Sequence, residues 1–147
     1  MKADADYSAQ TLLRAARDIL ARPDRVSAGV WPRAATHLCR QALELGLAAF
    51  WSKRVPGVET LPLRAQLLCL PCCFDDPQLS RTISYTWAAL SNACHHHVYE
   101  LAPTAAEIAG WIDTVEAMLE GLNGVKDRFQ IPLANSSGSS PGGGARS

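Results

Sequence analysis

Three consecutive histidines, His95-His96-His97, and three clustered cysteines, Cys69-x-x-Cys72-Cys73, are the side chains of this sequence best equipped for chemistry. Consecutive helical residues point about 100° apart, so neighbouring imidazoles diverge and do not converge on one ion. A zinc centre would need other ligands, and no second cysteine pair stands at matching spacing. The cysteines read as buried thiols, and no metal or other cofactor is expected. Cys94 beside a histidine supplies two parts of a nucleophilic site. It lacks the third group and the Gly-rich nucleophile turn that such a site requires. His37 has no ligand-type residue three or four positions away and reads as a structural, partly exposed histidine.

These side chains have to be positioned by helices. Alanine is abundant, and alternating strand patterns are absent. A first helix is expected over 7–21, where Leu12, Leu13, Ala16, Ile19 and Leu20 recur at helical spacing ahead of Pro23. A second is expected over 31–53, opened by Trp31-Pro32. It carries one apolar stripe through Trp31, Ala35, Leu38, Ala42, Leu45 and Ala49, and another through Cys39, Leu43, Leu47 and Phe50. So wide an apolar arc belongs at the centre of a bundle or between subunits. A short helix over 63–70 follows. The next starts at Asp75-Asp76-Pro77 and reaches the histidines, with Leu79, Ile83, Trp87, Leu90 and Cys94 on one face. Thr104-Ala105-Ala106-Glu107 forms a capping box for the last helix, and Gly121 and Gly124 stand where it should stop. The expected fold is an all-α, antiparallel bundle of four to five helices in one domain, residues 1–128, followed by a Gly/Ser-rich tail, 129–147, expected to be disordered.

The stretch Leu90-Ser91-Asn92-Ala93-Cys94-His95-His96-His97-Val98-Tyr99-Glu100-Leu101 closes a long helix and precedes the capped final one. Here the chain resembles the HEPN superfamily of small helical bundles, whose members serve bacterial toxin–antitoxin and defence systems and include many RNases. The likeness extends over about residues 7–122 and is closest to a small HEPN-like family of high-GC bacteria. The family signature is an arginine, four to six residues, then H-x-Y. His97-Val98-Tyr99 matches its second half, and Asn92 holds the place of the arginine. In the frame of His96, Ser91 holds that place instead.

The resemblance implies candidate catalytic residues His97, His96, Asn92 and Tyr99. Metal-free RNA cleavage needs a base for the 2′-hydroxyl, an acid for the leaving oxygen and a cation for the phosphorane. Losing a preorganised transition-state donor costs roughly 10²–10³ in rate. Asn92 carries no charge, and Arg33 and Arg40 of the second helix could replace the arginine, and bind RNA, only if the bundle brings them to it. The resemblance therefore implies a HEPN-domain protein of toxin–antitoxin or defence type that binds RNA, with weak or lost endoribonuclease activity. It also implies a homodimer and an antitoxin or nucleotidyltransferase partner that modifies Tyr99. The alternative is a non-enzymatic interaction or regulatory module, with His97 an interior histidine and Tyr99 an anchor for the turn.

Composition supports a globular chain: of 147 residues, 48% are hydrophobic and 19% charged. No apolar run approaches the ~18–20 residues that span a membrane, and the acids at Asp4 and Asp6 do not suit a signal peptide. A cytoplasmic location without membrane contact is expected. Net charge is zero, yet it is unevenly distributed. Residues 11–54 hold eight basic side chains against three acidic ones, and residues 55–120 hold two against eight. The first two helices could therefore face RNA, or pair with the acidic half.

Overall fold

The computed structural model describes residues 8–22, 29–95 and 101–125. They form five α-helices and no strand: α1 Ala9–Ala21, α2 Trp31–Arg54, α3 Leu63–Cys69, α4 Pro77–Cys94 and α5 Ala105–Gly124. Two short 3-10 turns, Val58–Thr60 and Leu70–Cys72, flank α3. The expected all-α bundle is thus observed. Among the described residues no helix is long and apolar enough to cross a membrane. The tail 129–147 lies outside the described residues.

Local chemistry explains the helix ends. Ser8 caps α1 by accepting the Thr11 N–H at 3.2 Å, and Asp76 caps α4 by accepting the Gln78 N–H at 2.9 Å ahead of a first-turn proline. At α5 the capping box is complete. The Glu107 N–H donates to Thr104 Oγ1 at 3.2 Å, and the Thr104 N–H donates to Glu107 Oε2 at 2.7 Å. The Thr104 backbone N–H and its hydroxyl, which donates to Glu107 Oε2 at 3.0 Å, hold the Glu107 carboxyl below the usual carboxylate range. Helix α4 stops at Cys94, one residue into the cysteine–histidine run. The His95 N–H turns back to the carbonyls of Ser91 and Asn92 at 3.1 and 3.2 Å.

Helix α2 is the shared wall of the bundle, packed against α1, α4 and α5. Its second apolar stripe, Cys39, Leu43, Leu47 and Phe50, is wholly buried among Leu13, Ala16, Ile83, Leu90, Ile108, Ile112 and Val115. The first stripe divides. Ala35 and Ala42 are buried, whereas Leu45 is 39% exposed and Ala49 is open to solvent. The wide arc is therefore largely consumed within the chain. Burying side chains of this size stabilises the fold by about 1.5–3 kcal/mol each before chain entropy is counted.

Gly121 does not end α5, which runs on to Gly124. Gly121 marks a close helix crossing, since a Cβ there would stand 3.3 Å from the Leu79 methyls of α4. Gly46 does the same for α2 and α5, facing Leu119. The connection from α2 to α3 is held by Gln66, whose buried amide donates to the carbonyls of Glu59 and Leu61 at 3.2 and 2.8 Å.

Candidate functional site

Helices α2 and α4 run antiparallel, which sets the first half of α2 beside the last turns of α4. Arg33 and Arg40 are seven residues apart, on one face and separated by about 10 Å along the axis. Both act electrostatically on the Cys94 thiol. Antiparallel packing sets Arg40 against Trp87 of α4.

Arg40 is half-buried and fully engaged. Its Nε donates to Glu44 Oε1 at 2.8 Å, one helical turn on, and its guanidinium lies 5.7 Å from the centre of the Trp87 ring. The same carboxylate oxygen accepts the Trp87 indole N–H at 3.3 Å. Glu44 thus joins α2 to α4 through the Trp87 indole while it holds Arg40 within α2. The hydrogen bond to Glu44 holds the Arg40 guanidinium more firmly protonated than usual. Arg33, in the first turn of α2, is exposed.

Burial pushes the Cys94 thiol up, and the charge and hydrogen bonding of Arg40, with a smaller contribution from Arg33, oppose that shift. Glu44 pushes it further upward. The net direction favours the protonated thiol, which argues against Cys94 as an activated nucleophile. Cys39 is fully buried nearby, its thiol pushed up to about 12 chiefly by desolvation. Neither cysteine has the exposed, electropositive setting of a reactive thiol.

Asn92 is exposed in the last turn of α4, and His95 is exposed at its end. His96, His97 and Tyr99, and with them the H-x-Y element, lie outside the described residues. Among the described residues no group of three or more His, Cys, Asp or Glu side chains is arranged to hold a metal ion. His37 is exposed on α2. A depression bordered by Leu45, Gly46, Ala49, Leu119 and Leu122 lies between α1, α2 and α5 and includes none of Arg33, Arg40, Asn92 or His95.

Part of the charge asymmetry is resolved within the chain. Arg17 of α1 donates to Asp113 at 3.0 Å and also to Glu116, tying the basic first helix to the acidic last one. Spacing alone places Trp87 on an apolar stripe and discloses neither its polar role nor the part played by Glu44. The i,i+4 spacing of Arg40 and Glu44 was the available signal. In comparisons with protein-family models, curated proteins and solved structures, no match was found.

Proposed function

We propose that this chain is a HEPN-like helical-bundle protein that binds RNA, as a homodimer, along the edge formed by α2 and the end of α4, with metal-independent ribonuclease activity weak or lost. It would act in a toxin–antitoxin or defence setting, with an antitoxin or nucleotidyltransferase as partner. The observation that carries the reading is Arg40 lying over Trp87 of α4, 5.7 Å from its ring centre, with Arg33 seven residues before it on the same face of α2. From the end of α4 the sequence continues into His95-His96-His97-Val98-Tyr99.

Exposed Arg33, Asn92 and His95 offer a cation and hydrogen-bonding groups to a phosphate backbone. Arg40 is committed to Glu44 and Trp87. Its charge is shared before any phosphorane forms, so holding RNA is favoured over cleaving it.

The test is fluorescence anisotropy with a labelled single-stranded RNA across a salt series, alongside light scattering. Affinity should fall as salt rises, and Arg33→Glu should weaken binding and reduce the slope of log K against log salt by about 0.7 for each phosphate that the protein no longer neutralises. Any residual cleavage should disappear in His97→Ala. A monomer that binds no RNA at low salt overturns the proposal.

A further inference from the structure

Three of the five cysteines sit where α3 passes into the 3-10 turn Leu70–Cys72. Cys69 ends α3 and is half-buried, Cys72 is exposed, and Cys73 is buried. The Cys73 N–H donates to the Leu70 carbonyl at 2.9 Å, the three-residue bond of a tight turn, and Pro71 fixes φ within it.

In a 3-10 turn, side chains three positions apart eclipse, and the chain rises ~2.0 Å per residue. Cys69 and Cys72 therefore share one face, with Cα and Cβ atoms alike about 6 Å apart; the Cα separation lies inside the ~4.4–6.8 Å range of a disulfide, and the turn must tighten to bring the Cβ atoms to the ~3.5–4.5 Å that the bond requires. The other two pairings fit less well. Adjacent Cα atoms are only ~3.8 Å apart, below that range, which disfavours Cys72–Cys73. Continuing one residue to Cys73 rotates the side chain about 120° away from Cys69.

We propose that Cys69-Leu70-Pro71-Cys72 is a reversible oxidation site, a dithiol that a hydroperoxide closes into a disulfide within a single turn. The exposed Cys72 reacts first. Its thiolate attacks a peroxide oxygen and the O–O bond breaks. The departing oxygen takes up a proton and leaves as water, and Cys72 becomes a sulfenic acid. The Cys69 thiolate then attacks that sulfur, the S–O bond breaks, a second water leaves and the S–S bond forms. Two electrons pass from the two thiols to the peroxide, so hydrogen peroxide yields two waters. A dithiol reductant reverses the bond by exchange.

Cys73 is the bystander. Its burial and the neighbouring Cys72 keep its thiol protonated against the opposing charge of Arg54. That guanidinium stacks 5.1 Å from the Phe50 ring, which in turn meets Phe74 at 5.6 Å, so the wall behind the turn is a set of interlocked side chains.

The test treats the full chain with hydrogen peroxide, blocks the remaining thiols with an alkylating reagent and reads intact mass. Two of the five thiols should be lost without any chain–chain link, and dithiothreitol should restore them. Arg64 and Arg81 bound one tryptic peptide carrying all three cysteines, so variants identify the pair. Cys69→Ser and Cys72→Ser should each abolish the internal bond, whereas Cys73→Ser should keep it. Because Cys73 is buried, Cys73→Ala is run beside it, with far-UV circular dichroism confirming that each variant is folded. Persistence of the bond in folded Cys72→Ser overturns the proposal, as does its loss in both folded Cys73 variants. Oxidation that gives only sulfinic acid or intermolecular links also overturns it.

Discussion

Replacing Gly46 by alanine sets a backbone gain against a packing loss at the α2–α5 crossing. In a helix interior, alanine is favoured over glycine by about 0.5–1 kcal/mol, because glycine loses more backbone freedom on folding. At Gly46, however, an added Cβ would stand 2.0 Å from Leu119 Cδ2 and 3.5 Å from its Cγ. Carbon atoms rest comfortably at about 3.5–4.0 Å, so the methyl must withdraw by about 1.5–2 Å. Leu119 is only 4% exposed, and forcing such a side chain from its position costs about 1–3 kcal/mol. The packing loss outweighs the gain, and a net destabilisation of about 1–2 kcal/mol is expected, lowering Tm by roughly 3–8 °C. Gly110→Ala in α5 is the matched control. No heavy atom lies within 4 Å of its added Cβ, and stability should rise by about 0.5–1 kcal/mol. Urea denaturation followed by circular dichroism measures both. In a double-mutant cycle, Leu119→Ala should cost less in the Gly46→Ala background than alone, because the new methyl occupies part of the space vacated. A Gly46→Ala protein as stabilised as Gly110→Ala, with strict additivity to Leu119→Ala, would refute the reasoning.

Three further outcomes are expected. Thr104→Ala removes the acceptor for the Glu107 N–H and should destabilise the protein by about 0.5–2 kcal/mol in urea titrations. Because the folded Glu107 carboxyl is held below its ordinary value, its contribution is complete above the unfolded pKa and is lost as pH falls through the depressed folded one. The stability difference between wild type and Glu107→Gln should therefore shrink as the solution is acidified, and a difference unchanged with pH would contradict this. Glu44→Gln removes a charge that pushes the Cys94 thiol up and loosens Arg40, which opposes it. Cys94 should then be alkylated faster at a fixed, mildly alkaline pH, measured residue by residue by mass spectrometry.

Short-range rules located the helices because caps and spacing are local. Pro32, Asp76-Pro77 and Thr104-x-x-Glu107 each opened a helix where expected. Glycine was harder to interpret, since the same residue can end a helix or admit a neighbour. Gly121 and Gly46 admit Leu79 and Leu119, and neither contact is visible from neighbouring residues. The arc of α2 signalled a central helix, but not which stripe would be covered. Leu45 and Ala49 share the stripe of Ala35 and Ala42, and they separate because they border the depression between α1, α2 and α5. Arg33 and Arg40 stand out in the sequence as basic residues of one helix face, and only the antiparallel pairing of α2 with α4 sets Arg40 over Trp87. The commitment of Arg40 to Glu44 and Trp87 depends on a contact between residues 43 positions apart, beyond what spacing along one helix reports.

The place of α2 as the shared wall has a consequence during synthesis. Its pairing with α1 is local and can form early, but Cys39, Leu43, Leu47 and Phe50 are buried only once α4 and α5 arrive. The residues that complete the wall extend to Leu122. At translation rates of about 5–20 residues per second, the interval between the end of α2 and that residue is roughly 3–14 s. For those seconds the nascent chain displays a continuous apolar stripe on an already formed helix. Newly made copies are then exposed to chaperone capture or aggregation, a vulnerability that passes when α5 closes over the stripe.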